Sequence, residues 1–234
     1  MERSLRCFLQ QDYEGEHTLL IYNNSETSQT LAPLELPPNK HVHLINCSID
    51  AGTGLRYHTL GAIYNDAIKI IPADAQIVIF WDDDDIYLPK HISEGVDGFK
   101  KVQTLGYKAY KPFYSFYRHA GGIAVVANNM EPSVFVDANH IKEYGCSPTT
   151  SDQHLKWYNA LGPALYADAS GAPTLVYNWG DTQIPTFKTS GNPGNPQNFD
   201  NYRAFSQEHG DGVLTPISVE EVRTYYDQVY SHAN

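Results

Sequence analysis

Four consecutive carboxylates, Asp82-Asp83-Asp84-Asp85, follow the apolar run Ile77-Val78-Ile79-Phe80-Trp81. Like charges this close raise one another's cost of ionisation, and partial burial adds to it unless a cation or strong donors compensate. In an extended segment, side chains two apart point the same way. Asp82 and Asp84 are therefore expected to converge, while Asp83 and Asp85 face elsewhere. Oxygen-only ligands favour Mg²⁺ or Mn²⁺, with the remaining coordination positions left to water and substrate phosphates. The competing reading is a solvated acidic turn. An apolar strand ending in Trp is an unusual preface to such a turn, which tips the reading towards a metal site. An EF-hand is excluded: its sixth position would be Tyr87 rather than Gly, and its twelfth Ser93 rather than Glu.

The elements that must position these acids are legible in the hydrophobic pattern. Ser4 to Gln11 reads as a helix, with Leu5, Phe8 and Leu9 on one face. His17–Tyr22 and His41–Asn46 read as strands, the first closed by the turn-formers Asn23-Asn24-Ser25. A helix opening at Gly52-Thr53-Gly54 carries Leu60, Ile63, Tyr64, Ala67, Ile68 and Ile71 as one stripe and stops at Pro72. Gln76–Trp81 is apolar enough to be a strand covered on both faces in a parallel sheet. Pro89 suits the first turn of a helix running towards Leu105. Further strands are expected at Ile123–Ala127, Ser133–Val136 and Thr174–Trp179, with a helix over Asp152–Leu161. Residues 180–212, dense in Gly, Pro, Asn and Asp, read as a long loop or lid. Ser218 with Glu221 forms a capping box for a final helix faced by Val219, Val222, Tyr225, Tyr226 and Val229. Strand and helix alternating in this way define an α/β layer. No internal repeat or linker interrupts it, so a single domain is expected over 1–234, with 1–105, 106–180 and 181–234 as its successive parts.

Composition narrows the partners. The 234 residues carry 16 Lys+Arg against 27 Asp+Glu, a formal charge of −11, which opposes nonspecific binding to nucleic acid or to an anionic membrane. The longest apolar run is far shorter than the roughly 20 residues of a membrane span. The first residues lack the apolar region of a secretory signal. Cys7, Cys47 and Cys146 are odd in number and scattered, which suggests reduced thiols and a cytoplasmic location. His41 and His43 share a strand face and could form half of a zinc site, although no third ligand lies near them in sequence. Trp157, Tyr158 and Trp179 can stack on a sugar or simply fill the core.

The stretch Leu60-Gly61-Ala62-Ile63-Tyr64-Asn65-Asp66-Ala67, followed by Val78-Ile79-Phe80-Trp81-Asp82-Asp83-Asp84-Asp85-Ile86-Tyr87-Leu88-Pro89, resembles the donor-binding half of the inverting GT-A glycosyltransferases, the large family numbered two. There a helix with an Asn-x-Ala step leads into a strand ending in a D-x-D motif. Gln11-Asp12-Tyr13 resembles the family's Q-x-Y, while Ser133–Val136 and Ser151–Leu155 resemble its acceptor-side strand and E-D element. The likeness covers roughly residues 3 to 190. It departs from the family pattern in several places. Asn23 and Asn24 stand where paired acids are usual, Ser151 replaces a Glu, and Tyr64 replaces a common Arg. The family's first strand is expected upstream of Met1, or replaced by another element.

The resemblance implies a GT-A fold, with a mixed, mostly parallel sheet flanked by helices. It also implies transfer of a sugar from a nucleotide-sugar donor to a hydroxyl acceptor such as a glycan or glycoconjugate. On this reading Asp82 and Asp84 hold Mn²⁺ or Mg²⁺. Asn23, Asn65, Asp82, Asp83 and Lys188 line the donor, and Asp152 is the general base. Chemistry also permits Asp152 to be a helix N-cap and Lys188 to be merely exposed. The alternatives to the transferase are a catalytically degenerate GT-A-like carbohydrate- or nucleotide-binding module, and a glycosyltransferase acting on modified DNA bases. The net charge opposes the last of these.

Overall fold

In the computed structural model the described residues are 2–119, 122–128, 131–150 and 152–178, together with 221, 222, 224, 225 and 228. In chain order the elements begin with α1 (Glu2–Leu9), β1 (His17–Asn23), β2 (Lys40–Asn46), α2 (Leu60–Lys69) and β3 (Ile77–Val78). They continue with β4 (Ile86–Tyr87), α3 (His91–Gln103), β5 (Ala109–Pro112), β6 (Tyr114–His119) and β7 (Gly122–Ala127). Last come β8 (Phe135–Asp137), α4 (Ala138–Tyr144), α5 (Leu155–Leu161), β9 (Leu165–Asp168) and β10 (Leu175–Asn178). The protein is therefore α/β, and it divides into two compact units.

The first unit comprises residues 1–13, 79–136 and 163–234. One of its sheets has the order β4-β10-β6-β7. In it β10 runs antiparallel to β4 and parallel to β6, and β6 and β7 form an antiparallel hairpin. A second sheet is built on β5, with β8 antiparallel to it and β9 parallel. The sheets are mixed, as expected, but in this unit parallel pairs do not outnumber antiparallel ones. The reason is partly one of connection length: only two residues separate β6 from β7, and a parallel pair needs a crossover of a dozen or more. Neighbouring residues Phe116 and Tyr117 of β6, and Val125 and Val126 of β7, are all buried, so both strands are covered on two faces.

Helix α3 lies against this framework through Ile92, Val96, Phe99 and Val102, spaced at three and four residues and all buried. Gly95 and Gly98 share that side for a steric reason. A Cβ on Gly95 would lie 1.8 Å from Cζ of Phe135, and one on Gly98 would lie 2.2 Å from Cζ of Tyr110. The helix axis comes close to β5 and β8 only because these positions have no side chain.

The second unit comprises 14–78 and 137–162. Its strands β1 and β2 pair in parallel in register from His17↔Lys40 to Asn23↔Asn46. Helix α2 starts at Leu60, where Thr59 caps it by accepting from the Ala62 N–H at 3.2 Å. Gly52–Gly54 form a turn ahead of the helix instead of its start, because the glycines favour the turn and the hydroxyl supplies the cap. Helix α5 begins at Leu155, three residues later than expected. The three cysteines are free thiols, and burial pushes Cys146 up to about 12. Among the described residues, no helix is long and apolar enough to cross a membrane.

Candidate metal centre

The expected strand Gln76–Trp81 is regular only at Ile77–Val78. Beyond it the chain is drawn into the first unit by Trp81. The indole stacks on Tyr87 with ring centroids 3.7 Å apart and 15° between planes, and its Nε1 donates to the Ser4 carbonyl at 3.3 Å. Phe8 and His91 meet the same indole edge-on at 6.1 and 5.8 Å. This aromatic anchorage fixes where the acids begin.

From Asp83 to Asp85 the backbone bends, and that changes which acids meet. Asp82, Asp84 and Asp85 each offer a carboxylate oxygen, and the three oxygens lie within 4.8 Å of one another. The alternation expected of an extended segment fails at Asp85, which joins the cluster and is fully buried. Asp83 is exposed and stands outside the cluster. Among the described residues this is the one group of three or more His, Cys, Asp and Glu side chains close enough to share an ion. His41 and His43 are exposed on β2 and belong to no such group.

Hydrogen bonds hold the cluster from three sides. The Asp82 N–H donates to the Tyr87 hydroxyl at 2.6 Å. The Asn178 N–H donates to Asp85 Oδ1 at 2.9 Å, and Asn178 Nδ2 donates to the Asp84 carbonyl at 3.0 Å. An Arg3 guanidinium nitrogen reaches that same carbonyl at 3.5 Å. Behind the acids, buried Gln11 donates to the carbonyls of Cys7 at 3.0 Å and Leu88 at 2.9 Å and accepts from the Ile92 N–H at 2.9 Å. One side chain thereby ties the end of α1 to the start of α3. His91, buried among aromatic rings, receives or gives a hydrogen bond at Thr174 Oγ1, 2.9 Å away, and burial lowers its pKa to about 3. It is neutral at physiological pH.

The donor set fits a hard divalent cation. It is oxygen-only and triply anionic when ionised, and its buried member is costly to leave without positive charge nearby. Soft-metal ligation is not offered, since neither thiol nor imidazole enters the cluster.

Of the other expected site residues, Asn23, Asn65 and Asp152 belong to the second unit. Asn23, at the end of β1, donates to Asn46 Oδ1 at 2.7 Å and to the Thr27 carbonyl at 3.0 Å, and its own Oδ1 accepts from the Ser25 N–H. Asn65 pairs with the Cys146 main chain at both ends of its amide, donating at 3.0 Å and accepting at 2.8 Å. Both amides act as ties within the second unit. Asp152 also belongs to that unit and is exposed. It is not the N-cap of α5, a position held by His154. The Asp152 carbonyl instead accepts from the Leu155 N–H at 3.1 Å. Lys188, the 180–212 segment and Ser218 of the capping box lie outside the described residues. The neighbouring Glu221, Val222, Thr224 and Tyr225 are helical, as expected.

Asp85, Tyr87 and Asn178 were not expected in these roles. Period-two reasoning assigns Asp85 to the wrong face because it assumes no bend. Asn178 is joined to the acids through β10–β4 pairing, a contact between residues more than ninety positions apart. Compared with known proteins, the sequence matches no family model and no curated protein.

Proposed function

We propose that the protein is a divalent-metal-dependent glycosyltransferase of the inverting GT-A type, transferring a sugar from a nucleotide-sugar donor to a hydroxyl acceptor. The observation that carries this reading is the convergence of Asp82, Asp84 and buried Asp85 immediately after an apolar run. The order of motifs around it, described above, supplies the family expectation.

Asp82, Asp84 and Asp85 would hold Mn²⁺ or Mg²⁺, whose positive charge offsets what develops on a departing diphosphate. In the transfer itself the acceptor oxygen forms a bond to the anomeric carbon as the bond from that carbon to the diphosphate oxygen breaks. The diphosphate keeps the electron pair. The acceptor proton passes to a carboxylate base, a role that the family resemblance alone assigns to Asp152. Tyr87, Asn178 and Gln11 keep the acids in register without touching the reacting atoms.

Incubation of the full chain with a panel of nucleotide sugars and Mn²⁺ or Mg²⁺ tests this. Donor hydrolysis or transfer is expected to need the metal and to vanish in Asp84→Ala. Full activity in that variant contradicts the assignment. Asp152→Asn is expected to slow transfer while donor binding persists, whereas equal loss of both marks a structural role.

A second reading, a catalytically degenerate carbohydrate- or nucleotide-binding module, draws on Asn23 and Asn24 standing where the family's paired acids are usual. Calorimetry separates the two: metal-dependent nucleotide binding with turnover favours the enzyme, and sugar binding without turnover favours the module.

A further inference from the structure

The last residue of β10 touches two of the three clustered acids, each through a different part of itself. We infer that Asn178 is a positioning residue that pre-forms the Asp84–Asp85 half of a divalent-cation site, an inference that rests on the metal-binding reading above. Asn178 is 7% exposed. Its backbone N–H fixes a carboxylate oxygen of Asp85, and its side-chain amide fixes the main chain of Asp84. The strand beneath it is held on both edges. It pairs with β6 from Val176↔Phe116 to Asn178↔Arg118, and with β4 at Leu175↔Tyr87 and Val176↔Ile86. Asn178 therefore transmits the geometry of a rigid sheet to a bend that has no ladder of its own.

The chemistry of the residue suits this role. The side-chain amide is neutral and its acceptor is the Asp84 main-chain carbonyl, so it holds the bend without adding a positive charge that would offset the carboxylates. A lysine at this position would neutralise the cluster and compete with the ion. The backbone contact to Asp85 survives any side chain, but the contact to Asp84 needs a donor of about this length. Removing it leaves the bend at Asp84 more weakly held, with the longer Arg3 contact to the same carbonyl at 3.5 Å, and the binding event must then order it further.

Mn²⁺ titration of the full-length chain, followed by the electron paramagnetic resonance of the free ion, tests the inference. Asn178→Ala is expected to weaken Mn²⁺ binding roughly three- to tenfold, the loss of one orienting hydrogen bond. Val176→Ala, which removes buried bulk from the same strand without touching an acid, should bind Mn²⁺ like the wild type below its melting temperature. Asn178→Gln keeps a donor and should recover part of the affinity. If Asn178→Ala does not fold, Asn178→Gln against Asn178→Met, similar in size but without the N–H, makes the same comparison. Wild-type affinity in Asn178→Ala, or equal weakening in Val176→Ala, overturns the positioning role. Absence of Mn²⁺ binding by the wild type instead defeats the metal reading itself.

Discussion

Replacing Tyr87 by Phe deletes one oxygen from the centre of the site and leaves nearly everything else in place. The ring keeps its stack on Trp81 at 3.7 Å and its edge contact with His91 at 5.0 Å. What disappears is the acceptor for the Asp82 N–H, 2.6 Å away. A hydrogen bond of this kind contributes about 0.5–1.5 kcal/mol net, and a donor left without a partner costs about 1–3 kcal/mol when water cannot reach it. Asp82 is only half-buried, so water replaces part of the loss and about 1–2 kcal/mol is expected. For a chain of this size that is a fall in melting temperature of roughly 2–8 °C. The freed main chain at Asp82 should also weaken Mn²⁺ binding about three- to tenfold. Circular-dichroism melting and Mn²⁺ calorimetry on the same preparations read both effects. Wild-type melting together with wild-type affinity refutes the claim that this hydroxyl anchors the first acid. A stability loss with unchanged affinity shows that Asp82 needs no anchoring to bind.

Two further predictions concern the scaffold. Gly95→Ala gains about 1 kcal/mol of helix propensity but drives a Cβ to 1.8 Å from the Phe135 ring. Overpacking costs typically about 1–3 kcal/mol, and here the clash is with a fully buried ring, so net destabilisation is expected in urea unfolding; a stabilised variant would show that α3 does not lie so close. His91 has a folded-state pKa near 3, below its unfolded value of about 6.5, so its contribution to stability is complete above pH 6.5 and declines as pH falls towards 3. The slope approaches about 1.4 kcal/mol per pH unit inside that window. His91→Phe should flatten that part of the profile, and an unchanged acid limb would mean that this imidazole is not buried neutral.

Much of the scaffold is visible in local sequence. Leu5, Phe8 and Leu9 announce α1, the β-branched runs announce β1, β2 and β7, and Pro89 marks the approach to α3, because each signal is carried by neighbours within one or two turns. The acidic motif also announces itself by charge density alone. What local pattern misses is long-range. The two-residue strand β4 has no period to detect and exists because β10 pairs with it. Asp85 turns inward because Asn178, ninety-three positions later, supplies its hydrogen-bond donor. The amide of Asn65 pairs with the main chain of Cys146, eighty-one positions away, a tie that no local pattern announces.

The account stands most directly on where a divalent ion sits. A crystal of the protein grown with Mn²⁺ and measured at the manganese absorption edge should show one anomalous peak ligated by Asp82, Asp84 and Asp85. A peak elsewhere, or no peak at saturating Mn²⁺ with the three carboxylates well ordered, would contradict it.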